Sequence, residues 1–110
     1  MTLAEFEDYY SLHDSSIEEI EYTAENKKLI LTVNNQQGFT ELIFDSVSLF
    51  EYDGHEFKNI LEDIDTEVVT TEFKDDVLKI IIREYKDAPF DEDYFQINIK
   101  AESVTINPLD

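Results

Sequence analysis

Hydrophobic side chains recur at every second position through most of this chain, and at every third or fourth only near its start. Leu3, Phe6 and Tyr10 fall on one helical stripe, and Thr2 with Glu5 has the spacing of a capping box. The spacing predicts one short N-terminal helix. His13, Asp14, Ser15 and Ser16 then interrupt the pattern with turn-forming side chains, whose hydrogen bonds are expected to hold loop backbone.

From Ile17 onward the period is two. Ile20 and Tyr22 alternate with Glu19 and Glu21, so one side of that strand faces a core and the other faces water. Glu25-Asn26-Lys27 predicts a hairpin turn, with Leu29, Leu31 and Val33 continuing inward. Phe39 to Tyr52 reads as one long strand bent near Asp45-Ser46 and ended by Asp53-Gly54. Over 55–66, Phe57, Ile60, Leu61 and Ile64 have helical spacing, Asp53 and Glu56 could cap them, and a second short helix is expected. Val68–Phe73 and Val77–Arg83 predict a hairpin about Lys74-Asp75-Asp76. Asp87 to Asp93 reads as a loop around Pro89, Tyr94–Lys100 as a strand, and Val104 with Ile106 as a last one.

Roughly seven strands without βαβ alternation predict a mostly β (α+β) chain, an antiparallel sandwich or a curled sheet. The 110 residues suit a single globular domain over 1–110, and no repeat or linker divides them.

Charge changes the picture most. Asp and Glu number 27 against 8 Lys and Arg, a formal net charge of −19. Hydrophobic residues at 42% are too many for a disordered acidic tail. A net charge beyond the roughly 2–8 that solubility asks of a small domain reads in two ways, as a halotolerant or simply acid-rich surface or as electrostatic steering toward a basic protein partner. Nucleic acid is a poor partner for such a surface, because Arg83 is the sole arginine and the lysines are scattered. The start is acidic where a secretory signal is basic, no apolar run approaches a membrane span, and anionic lipid would repel the surface. A cytoplasmic protein without membrane contact is expected, as monomer or homodimer. The acids proposed for partner contact are Glu19 and Glu21 on the first strand and Asp91, Glu92 and Asp93 in the late loop.

Candidate chemistry is sparse. Without cysteine there is no thiolate nucleophile and no sulfur-bound zinc, and two glycines cannot build a phosphate-binding loop. His13 and His55 form no helical ligand pair, and no glycine elbow exposes a serine. No catalytic residue, metal or cofactor is expected; an acidic Asp91-Glu92-Asp93 loop offers calcium three carboxylates but lacks the EF-hand pattern. Two rival readings stand beside partner binding. One is a small hydrolase or glycan-binding domain built on paired carboxylates and Tyr9, Tyr10, Tyr85 and Tyr94; the other is a structural or regulatory subunit.

The run Tyr9-Tyr10-Ser11-Leu12-His13-Asp14-Ser15-Ser16-Ile17, followed by Ile20 and then Leu29, Leu31 and Val33, resembles small bacterial toxin-immunity proteins. Leu42-Ile43-Phe44-Asp45-Ser46-Val47, Asn59-Ile60 with Asp63-Ile64, the Leu78, Ile80, Ile82 strand and the closing Ile97, Ile99, Val104 set extend the likeness. It is similar in particular to the Immunity protein 50-like group, whose members often carry glycine where this chain has Ser46. The resemblance implies a mostly β domain that binds and neutralises a toxin, with no catalytic residues, and a His13-Asp14-Ser15 turn that serves structure.

Overall fold

A computed structural model describes residues 1–35, 38–53, 55–57, 60–62, 66–85 and 92–109, and for residues 55, 62, 84, 85, 92 and 93 the backbone alone. The chain opens with helix α1 (Leu3–Tyr9). Ten strands follow: β1 (Ser16–Thr23), β2 (Lys28–Asn35), β3 (Gly38–Asp45), β4 (Leu49–Tyr52), β5 (His55–Glu56), β6 (Ile60–Glu62), β7 (Thr66–Lys74), β8 (Val77–Tyr85), β9 (Glu92–Lys100) and β10 (Ser103–Pro108). They form two antiparallel five-stranded sheets, ordered β10-β3-β2-β1-β6 and β5-β4-β9-β8-β7. The inward side chains of both sheets share one core, so the architecture is a sandwich.

Alternation places that core. Leu29, Leu31 and Val33 of β2, Leu42 and Phe44 of β3, and Ile80, Ile82, Ile97 and Ile99 of β8 and β9 are fully buried. Two bulges adjust the alternation. One lies between Ile17 and Glu19, so Ile17 and Ile20 both face inward although three residues apart. The other lies between Val68 and Thr70, and past it the inward positions pass to Thr71 and Phe73.

The capping box forms at α1: Glu5 N–H donates to Thr2 Oγ1 at 3.1 Å and Thr2 N–H to Glu5 Oε1 at 2.9 Å. Donation to it from Thr2, by the backbone N–H first and the hydroxyl second, holds the Glu5 carboxyl below its ordinary range, because it favours the charged form. α1 packs against β7 and β10, burying Leu3 and Phe6, whose ring stacks on Tyr10 (5.5 Å) and meets the edge of Phe44 (6.2 Å).

Three expectations are corrected. The long strand from Phe39 to Tyr52 is two strands, β3 and β4, in different sheets. The chain switches sheets at Ser46, which is left-handed (φ 54°), and Val47 is buried there with its N–H donated to Lys27 O at 2.9 Å. The second helix over 55–66 is absent among the described residues. Asp53 is left-handed (φ 54°) and Tyr52 pairs with His55, which turns the chain into a hairpin; Ile60–Glu62 then pairs with β1. Phe57 packs on Phe50 (5.3 Å) and Tyr52 (6.2 Å), so its apolar surface is covered without a helix. Ile64 lies outside the described residues. Glu92 and Asp93, expected in the late loop, belong instead to β9 and pair with Tyr85 and Glu84; residues 86–91 lie outside the described residues.

Candidate functional site

The sequence-predicted contact residues Glu19 and Glu21 both stand on the outward side of the first sheet, between inward Ile17, Ile20 and Tyr22. Register shows what surrounds them. One row across five strands reads Ile60, Glu21, Ile30, Ile43, Thr105. The next row, two residues along, reads Glu62, Glu19, Thr32, Glu41, Asn107, and Asn107 Nδ2 donates to Glu41 Oε1 at 3.0 Å. Phe39 opposite Asn34 begins the third. Ile30, Ile43, Ile60 and Phe39 stay out of the core, and Ile60 and Phe39 are 55% and 48% exposed. Alternation also turns Asp45 and Lys28 outward, and Lys28 is the one cation on this face among the described residues.

The opposite face of the molecule is different. Outward positions of the second sheet carry Lys74, Lys79, Arg83 and Lys100 beside Glu51, Glu67 and Glu72. Arg83 stands opposite Glu67 in the register, and its guanidinium lies 5.7 Å from the Tyr94 ring centroid. An open depression of about 400 Å³ is lined there by Leu49, Glu51, Glu72, Lys74, Val77 and Lys79 among others. Among the described residues, four basic side chains therefore stand on the second sheet's outer face, where they offset its acids.

The turn at His13-Asp14-Ser15 lies along the free edge of β7. Asp14 N–H donates to Val68 O at 3.0 Å and Val68 N–H to Ser15 O at 2.7 Å. The carbonyl of Val69, the extra residue of the β7 bulge, accepts from His13 Nδ1 at 2.7 Å, and a carbonyl can only accept, so that nitrogen carries hydrogen. His13 Nε2 lies 3.5 Å from Asp14 Oδ1, with both side chains well exposed. Asp14 adopts φ 66°, which short polar side chains tolerate better than others. This turn covers strand backbone that would otherwise template further pairing.

The other three sheet edges are blunted too. Met1 exchanges backbone hydrogen bonds with Val104 on β10, which ends at Pro108; β5 and β6 have two and three residues. Among the described residues no group of three or more His, Asp or Glu is placed to hold a metal ion, and no helix is long and apolar enough to cross a membrane.

Of the late acids proposed for contact, Glu92 and Asp93 sit at the start of β9 in the second sheet, away from Glu19 and Glu21, and Asp91 lies outside the described residues. The structure thus does not join the two proposed clusters on one sheet. Sequence reasoning passed over Ile30, Ile43 and Glu41, which flank Glu19 and Glu21. Their signal was present: they interleave with the buried Leu29, Leu31, Leu42 and Phe44, and strand alternation turns them outward. No protein-family model matches this chain, nor does any curated protein or solved structure.

Proposed function

We propose that this chain is a non-enzymatic, immunity-like binding protein of the bacterial cytoplasm that neutralises a basic partner protein, a toxin, by covering it with an acidic surface. One observation carries the reading: among the described residues, Glu19, Glu21, Glu41 and Asp45 share the outer face of the first sheet with Lys28 as its one cation, whereas the second sheet's face sets Lys74, Lys79, Arg83 and Lys100 beside its acids. A face of one sign attracts an opposite partner from a distance and speeds association, by 10–10³-fold at low salt on the usual scale. The resemblance of the Leu12-His13-Asp14-Ser15 turn and following strands to toxin-immunity proteins supports the same reading. So does the blunting of all four sheet edges, which leaves faces rather than edges for partner contact.

The test is capture of partners from native lysate at low salt, followed by association kinetics with the protein recovered. The expected partner is basic, with an association rate that falls steeply as salt rises and drops about tenfold in a Glu19→Gln, Glu21→Gln, Glu41→Gln variant. An affinity indifferent to both salt and these substitutions overturns the reading.

A further inference from the structure

We infer that the outer face of the first sheet docks an amphipathic basic helix of the partner, an inference that rests on the reading just given and specifies what the partner presents there. Acidic residues are only half of this face. Ile60, Ile30 and Ile43 form an apolar row interrupted by Glu21, and the parallel row beside it holds Glu19, Thr32 and Glu41. Ile60 is 55% exposed, and Ile30 and Ile43, adjacent to each other across β2 and β3, are half-buried at outward positions; apolar side chains gathered on one face among polar ones are where partners dock.

The dimensions suit a helix laid across the strands. Neighbouring strands are about 4.8 Å apart, so the row offers a side chain at nearly every turn of a helix, whose pitch is about 5.4 Å. The two rows are separated by two residues of strand, about 7 Å, which lies within a helix diameter of about 10–12 Å. A helix with its apolar stripe on Ile60, Ile30 and Ile43 would therefore carry flanking lysines or arginines over Glu19 and Glu41. An added partner strand is a poorer fit, because Met1 and Pro108 blunt the β10 edge and the His13-Asp14-Ser15 turn covers β7. The second sheet's face lacks the pattern: Ile81 there lies between Gln96 and Thr70, in a surface rich in lysine.

Two synthetic peptides of about fourteen residues, one an amphipathic leucine-lysine helix and the other its scrambled isomer of equal charge, test this by fluorescence anisotropy near 0.1 M salt. The helical isomer should bind at least about tenfold more tightly, and Ile30→Asn with Ile43→Asn should abolish that difference while leaving the scrambled isomer's binding unchanged. Ile81→Asn on the other face should change neither. Thermal unfolding checks that each variant folds. Equal binding of the two isomers overturns the helix inference, and the acidic-face reading survives if Glu19→Gln, Glu21→Gln, Glu41→Gln still weakens both. A preference lost in Ile81→Asn but kept in Ile30→Asn with Ile43→Asn moves the site to the second sheet and overturns the inference. Absence of binding by either isomer at low salt overturns both readings.

Discussion

Thr66 and Ile17 are joined twice: the Thr66 hydroxyl accepts from Ile17 N–H at 3.3 Å and donates to Ile17 O at 3.2 Å. One buried side chain of β7 thus satisfies a backbone donor and acceptor of β1, in the stretch of β1 that lies before its pairing with β6. Together with the Ser15–Val68 bond it stitches the two sheets along a seam. Thr66→Val keeps the shape and removes both bonds, leaving buried polar groups unpaired. Loss of about 1–3 kcal/mol in urea unfolding is expected, with Thr66→Ser closer to the parent.

Stability should rise with salt. A net charge of −19 in a compact body repels itself, and mobile ions screen that repulsion more than they weaken the few ion pairs available to eight cations. Added sodium chloride should raise Tm by several degrees, measured by circular dichroism. Glu19→Gln should mimic part of this rise, since it removes one charge from an outer face that also carries Glu21 and Glu41. The same substitution slows partner association if the acidic face acts as proposed, so stability and binding should move in opposite directions.

Ser46 is left-handed, exposed and the hinge between the sheets. A non-glycine residue pays about 1–2 kcal/mol for that conformation, against about 0.5–1 kcal/mol of added chain entropy for glycine. Ser46→Gly should therefore stabilise the fold by roughly 0.5–1 kcal/mol, seen as a higher midpoint at unchanged m-value. Ser46→Val should destabilise it.

The helix cap gives a pH signature. Glu5 is held below its ordinary range by its bonds with Thr2, so its contribution is present above the unfolded carboxylate value and is lost as pH falls through the lowered one. The stability difference between the parent and Glu5→Gln should shrink on acidification through the carboxylate range. Thr2→Ala should cost about 1 kcal/mol at neutral pH as the N-cap is lost.

Phe6 couples that helix to the sandwich through Phe44 and Tyr10. Phe6→Ala leaves a cavity between α1, β3 and the C-terminal end of the helix, and about 3–5 kcal/mol should be lost in denaturant titration. Tyr9→Ala, a neighbouring aromatic exposed at 77%, should be nearly neutral.

Local pattern alone determined much of this protein. The capping box at Thr2 and Glu5, the alternation of Leu29, Leu31 and Val33, and the hairpin at Asp75-Asp76 involve neighbours within a few residues, whose period and turn chemistry speak for themselves. The acidic outward character of Glu19 and Glu21 was legible for the same reason. What tertiary structure decided were matters of pairing between distant segments. Ile60 and Leu61 have helical spacing with Phe57, yet they form a strand because the free edge of β1 offers backbone hydrogen bonds and Phe57 finds cover on Phe50 and Tyr52. The break at Ser46, the bulges before Glu19 and Thr70, and the row that sets Ile30 beside Ile43 depend likewise on which strands lie adjacent. Side-chain period follows from the chain's own geometry, whereas register requires a partner strand that no local window contains.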